Sequence, residues 1–153
     1  MIKIGIDPSG NGTTGIVVYE DNKLTEKQEF TNKDWIYQAN FILCILNENE
    51  IINIEDCLYT NANGSKDCDD LLKIIGVIKY DTHELNNVNW VSPKHTKSIV
   101  KNMENLSKYN DSCLWKFDKD INLTYQYGKG WKYNNKKISN HLRDAIIIAN
   151  YES

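Results

Sequence analysis

Three carboxylates and one imidazole stand where a folding chain has reason to avoid them. Asp7 closes the apolar alternation Ile2, Ile4, Ile6, and Glu55 interrupts the apolar run Ile51–Leu58. Asp144 opens the apolar part of HLRDAIIIA, and His141, three residues earlier, shares its helical face. A carboxylate in a central strand or on a sheet-facing helix is costly unless a metal, a proton or a partner compensates it. Asp7, Glu55, His141 and Asp144 together form a candidate catalytic and metal-binding set. Hard divalent ions prefer oxygen ligands, so Mg²⁺ is the expected cofactor, with Mn²⁺ able to substitute. Two such ions about 4 Å apart activate water and stabilise a leaving oxygen in phosphodiester hydrolysis. A neutral histidine either binds one ion or assists proton transfer. Each residue alone has a plainer reading. Asp7 is also a turn-initiating acid before Pro8, Glu55 a salt-bridged acid with Asp56 turned inward, and His141 a capping or core histidine.

These residues need elements to position them. Lys3–Asp7, Gly15–Glu20 and Lys23–Phe30 read as three strands joined by a Gly/Asn/Ser/Thr stretch and an Asp21-Asn22 turn, an antiparallel meander. Asp34–Asn47 reads as a helix capped by Asp34 with a broad apolar face. Ile51–Leu58 is a central strand, Ser65–Val77 a helix, Val88–Val91 a strand and Lys94–Lys108 a helix. Residues 110–137 are rich in Lys, Asn and aromatics and take no clear element from their pattern. Asn140–Asn150 is the last helix. A hairpin sheet that then gains crossover units predicts an α/β fold, with a mixed sheet flanked by helices. The length of 153 residues suits one domain.

The net charge of −3, taken alone, argues against a strongly cationic binder of nucleic acid. Its distribution argues otherwise. Residues 1–90 carry −8, residues 91–137 carry +6 and residues 138–153 carry −1. Lys94, Lys97 and Lys101 form a row at helical spacing. Tyr125, Tyr127, Trp131 and Tyr133 alternate with Lys129, Lys132, Lys136 and Lys137. Lysines neutralise phosphates and aromatics stack on bases, so Lys94, Lys97, Lys101, Lys129, Trp131 and Lys132 are candidate nucleic-acid contacts. Arg143, the lone arginine, is a further one. The opening residues lack a secretion signal, and no apolar run is long enough to span a membrane. A cytoplasmic location is expected. Four cysteines without CxxC spacing suggest neither disulfides nor zinc, and Cys44 and Cys57 read as buried small hydrophobes. The turn GNGTTG lacks the Lys-Ser/Thr of a phosphate-binding P-loop.

The segment IGIDPSGNGTTGIVVY resembles the first hairpin of the RNase H-like superfamily, with Asp7 on its first strand. IINIEDCLY places Glu55 like the second acid of that superfamily, and HLRDAIIIA resembles the last motif of RuvC-type Holliday junction resolvases. In that motif Asp144 takes the place of the final acid, and His141 a position held by Asp or His. Actin-like ATPases share the first turn, but they need two such domains. The resemblance implies one RNase H-like nuclease domain over residues 1–153. It implies a metal-dependent endonuclease, a homodimer, that cuts branched DNA, above all four-way junctions. The Asn and Lys bias suits a phage-type member, placed in a bacterial or phage-infected bacterial cell. The resemblance also puts Ser9, Asn11 and Thr13 of the first turn near a phosphate backbone, and Lys66 near a DNA-facing loop. The segment Gly64–Asp70, where that loop and a dimer helix begin, departs from the pattern by carrying Asp67, Asp69 and Asp70. Two other readings remain: a non-catalytic nucleic-acid binder on the same fold, and a flap- or RNA-directed nuclease.

Overall fold

The computed structural model describes residues 1–58, 66–110 and 113–152. Among them the order is β1 (Ile2–Asp7), β2 (Thr13–Glu20), β3 (Lys23–Thr31), α1 (Trp35–Ile45), β4 (Ile51–Glu55), α2 (Lys66–Asp81), β5 (Val88–Val91), α3 (Pro93–Tyr109), β6 (Trp115–Phe117), β7 (Asp120–Gln126), β8 (Gly130–Tyr133), β9 (Lys136–Lys137) and α4 (Asn140–Ala149). Gly64 and Ser65, where the expected loop and helix begin, lie outside the described residues.

The first five strands form one sheet in the order β3-β2-β1-β4-β5. β1 to β3 are antiparallel, and β4 and β5 run parallel to β1. This is the mixed sheet that the sequence predicts. Strand alternation then assigns the faces. Ile4, Ile6, Ile16, Ile52 and Ile54 pack on Ala39 and Ile42 of α1 and on Ile74 and Ile78 of α2. Each such isoleucine contributes roughly 1.5–3 kcal/mol by burial. The neighbouring positions, Gly5, Asp7, Val17, Tyr19, Asn53 and Glu55, belong to the opposite face, where α4 lies across β1 and β2.

α1 starts as expected, with the Asp34 carboxylate accepting from the Ile36 N–H at 2.9 Å. Its buried stripe is narrower than the sequence implies: Gln38, Ala39 and Ile42 are buried, while Ile36 and Cys44 are exposed. Cys44 sits about 200° around the helix from Ile42, so the expectation of a buried thiol is corrected there. Cys57 is buried, as expected.

Residues 115–137 form a second sheet, β6-β7-β8-β9, a meander of short antiparallel strands. Asn134 and Asn135 hold φ of 47° and 63°, much like Asp21 and Asn22 at 48° and 64° in the first sheet. Both are two-residue hairpin turns of the kind Asn and Asp tolerate. Phe117, Leu123, Trp131 and Tyr133 turn inward and join Met103 of α3, Ala145–Ile147 of α4 and Val17 and Tyr19 of β2 in one core. One buried carboxylate links the two sheets: Asp120 accepts from Tyr19 Oη at 2.6 Å and from Tyr133 Oη at 3.0 Å. Burial, with Asp120 beside it, pushes the Tyr133 hydroxyl up to about 12. No helix among the described residues is long and apolar enough to cross a membrane.

Candidate active site

The register Ile6↔Ile54 puts Asp7 and Glu55 next in line, at the carboxyl ends of adjacent parallel strands. By strand alternation both side chains belong to the face that α4 covers. Two glycines let α4 come close. A Cβ on Gly5 would meet the Ala145 carbonyl oxygen, and one on Gly15 would meet the His141 carbonyl. Gly15 is the register partner of Asp7, so the helix start lies against the end of β1. Ser139 caps α4, accepting from the Leu142 N–H at 3.2 Å. At the other end Asn53, buried in β4, donates through Nδ2 to the carbonyls of Ile148, Ala149 and Tyr151 at 2.9, 3.2 and 3.2 Å. Asn89 Nδ2 holds the Asn53 amide oxygen at 2.9 Å. The helix that carries His141 and Asp144 is thus anchored at both ends, and Asn53 does this without any signal beyond being polar inside IINIE.

The result puts Asp7 and His141 in contact and Glu55 and Asp144 within electrostatic reach of Asp7. His141 Nδ1 lies 3.5 Å from Asp7 Oδ2. Burial, with Asp144 nearby, pushes the Asp7 carboxyl up to about 6, against the pull of His141 and Arg143. Glu55 rises to about 7, chiefly by burial and then through Asp7 and Asp144. The buried Thr96 hydroxyl of α3, which has no partner at hydrogen-bond geometry, and Lys97 offset part of that rise. The Asp7 contact raises the His141 imidazole above its ordinary range. Two acids held back from ionising chiefly by burial, with a third acid and an imidazole beside them, fit a divalent cation in donor type and in charge. Asp144 itself is engaged by Arg143, Nε to Oδ1 at 2.7 Å. Among the described residues no three His, Cys, Asp or Glu side chains already stand grouped to hold a metal.

Arg143 is 11% exposed at its side chain and lies over the Trp131 ring, its Cζ 5.2 Å from the centroid. Trp131 is 6% exposed and donates through Nε1 to Glu104 at 3.0 Å. The expectation that Trp131 stacks on bases is therefore corrected: register places it beside Tyr125 on the inward face of the second sheet. Lys94, Lys97 and Lys101 are exposed along α3. Lys97 and Lys101 join Thr96, Glu104, Arg143 and Asp144 around a cleft of about 310 Å³ that opens next to the acids.

The first turn is tied from within. Ser9 Oγ accepts from Gly12, the Asn11 N–H reaches Asp67, and Thr13 Oγ1 lies 2.8 Å from Thr31 Oγ1. Gln38, another residue the sequence did not single out, accepts from Thr14 and donates to the Gly12 and Asn32 carbonyls. Lys66 is held at 2.8 Å by Asp70, which is buried and also lies 3.5 Å from Lys73. Two of the three acids that looked out of place at the start of this helix thus have partners. Lys129 is exposed between β7 and β8.

No protein-family model matches the sequence, and no curated protein matches it either. Solved structures do match the fold. Thermus thermophilus RuvC in complex with a Holliday junction substrate aligns over 98% of this chain and 90% of its own, with a TM-score of 0.58 and 15% identity. A second Thermus thermophilus RuvC structure aligns over 98% and 92%, with a TM-score of 0.53 and 16% identity. The fold is the RNase H-like fold of RuvC. Within it, the acids of this chain occupy the carboxyl edge of β1 and β4 under α4.

Proposed function

We propose that the chain is a divalent-metal-dependent endonuclease that hydrolyses phosphodiester bonds in branched DNA, with the four-way junction as its substrate. The observation that carries this is the convergence of Asp7, Glu55, His141 and Asp144 from three separate elements. The junction-bound RuvC structure with the same fold supports the choice of substrate. Asp7, Glu55, Asp144 and His141 would hold Mg²⁺ or Mn²⁺, which supplies an activated water and charge on the leaving oxygen. The chain's own residues do the rest. Asp7, beside His141 Nδ1, orients the imidazole and raises its affinity for a proton. Arg143 seats the Asp144 carboxylate through its Nε at 2.7 Å. Lys97 and Lys101 at the cleft mouth draw a phosphate toward the acids. A homodimer would present two such sites to two symmetric strands, and α2 exposes Gly76, Val77 and Tyr80 on its outer side.

One observation favours a second reading. The Arg143–Asp144 pair supplies a cation to one acid already, as a non-catalytic DNA binder on this fold would. A cleavage assay separates the two. Four-way junction, flap, duplex and RNA–DNA hybrid are each incubated with Mg²⁺ or Mn²⁺, with Asp7→Asn alongside. The proposal expects junction cleavage that Asp7→Asn abolishes while junction binding persists. Cleavage retained by Asp7→Asn sinks the assignment, and no cleavage with either ion supports the binder. Preference for the flap or the hybrid moves the substrate and keeps the chemistry.

A further inference from the structure

The second sheet separates the aromatics and lysines that the sequence interleaves. Cross-strand register aligns Lys116 of β6, Thr124 of β7, Lys132 of β8 and Lys137 of β9 in a single row. Side chains directly opposite one another in a sheet share a face. The neighbouring row, Trp115, Tyr125 and Trp131, packs inward against α3 and α4. The lysine row therefore faces out, away from the core and on the other side of the sheet from Trp131.

Three features of this row call for an outside anion. First, Lys132 and Lys137 are direct cross-strand partners, and like charges placed so destabilise a sheet. Second, none of Lys116, Lys132 and Lys137 has an ion pair or hydrogen bond from its ammonium group among the described residues. Lys119, just outside the row, is paired with Glu152 at 2.9 Å. Third, the other outward residues of β7 on this face, Asn122 and Gln126, are uncharged. Thr124, between Lys116 and Lys132 in the row, is uncharged and buried.

We propose that this outer face docks the phosphate backbone of a duplex DNA arm, outside the acid cluster. Four strands at a spacing of about 4.8 Å make the row roughly 14 Å long. Duplex DNA carries one charge per ~1.7 Å of axis, so a stretch of that length offers more phosphates than the row has lysines. A flat row of ammonium groups with no donor–acceptor pattern between them reads charge and not sequence. The inference rests on the proposed action on branched DNA, because such a substrate extends duplex arms away from the point of cleavage.

The test uses the full chain carrying Asp7→Asn, so that substrate stays intact. Lys116→Gln, Lys132→Gln and Lys137→Gln are combined. A second triple, Lys23→Gln, Lys33→Gln and Lys108→Gln, makes the same charge change elsewhere. Binding to a four-way junction with long arms, to one with arms cut to a few base pairs, and to linear duplex is followed from 50 to 200 mM salt. The row variant is expected to bind the long-armed junction at least tenfold more weakly, with a log–log salt slope lower by about 2 to 3. The control triple should change neither by that much. Shortening the arms should weaken the unaltered protein in the same way and leave the row variant little affected.

An unchanged slope in the row variant overturns the docking face, and junction cleavage by the parent chain would still stand. Loss of linear-duplex binding in the row variant supports the face even where junction preference fails. No binding of either DNA overturns both. Displacement by polyglutamate as effective as by duplex points to an acidic protein and overturns the assignment. Should the triple fail to fold, Lys132→Gln alone is expected to lose about one unit of slope, and no loss there overturns the proposal.

Discussion

Asp7 and Glu55 are held in the uncharged direction chiefly by burial, with Asp144 adding to both and Asp7 adding to Glu55, which makes their charged forms costly to the fold. In the unfolded chain such acids lose their protons near pH 4, whereas in the folded chain they do so at about 6 and about 7. Between those limits the folded state binds more protons. Their contribution to stability is therefore full below about pH 4 and is lost as pH rises through 6 and 7. In chelator, denaturant melts should show Asp7→Asn more stable than the parent at pH 8 by about 1–2 kcal/mol and similar at pH 4.5. An equal difference at both pH values contradicts this account. Trp131 tests the other residue-scale result. As a core residue its replacement by Ala should cost about 3–5 kcal/mol in the same melts. Lys129→Ala, on an exposed turn, should change stability by less than about 0.5 kcal/mol. The three acids and His141 were legible in the sequence because ionisable residues stand out in apolar runs. Asn53, Gln38 and Thr96 were not, because a neutral polar residue declares nothing until its partner from a distant element is known.

Among the elements, α4 decides the site, and it is seated by what β1 and β2 lack. Gly5→Ala should push the helix off the sheet and destabilise by roughly 1–3 kcal/mol as an overpacked contact. Because the same helix carries His141 and Asp144, Mn²⁺ affinity should fall with it. Asn53→Leu tests the other end: it strands carbonyls that Nδ2 now satisfies and should cost about 1–3 kcal/mol by thermal or denaturant melt. The first sheet was readable from alternation, the Asp21-Asn22 turn and the Asp34 cap. The second was not, although Asn134-Asn135 uses the same turn chemistry. Its strands of two to seven residues are too short for a period, and lysines on its outer row mask the apolar inner one. The helix α1 was read as broadly apolar, and only its contact stripe with the sheet turned out to be buried.

For the whole molecule the net charge of −3 conceals a division of labour. Acids cluster at the edge of the first sheet, and lysines line α3 and the outside of the second. A divalent cation that binds only the folded form should stabilise it by about 2.7 kcal/mol at a hundred times its Kd. Thermal melts at pH 8 should therefore rise with Mg²⁺ or Mn²⁺ and fall back with EDTA. In Asp7→Asn combined with Glu55→Gln the rise should vanish, and an undiminished rise would place the cation elsewhere. Asp7 and His141 touch across 134 residues of sequence, and α4 packs on the first two strands of the chain. Pairings of such long range form late, since the loop between them must be closed before any contact rewards it. The acid cluster and the core beneath it are therefore expected to be completed together, late in folding. A refolding time course should recover divalent-ion binding only as the final phase ends, well after most of the secondary structure has returned.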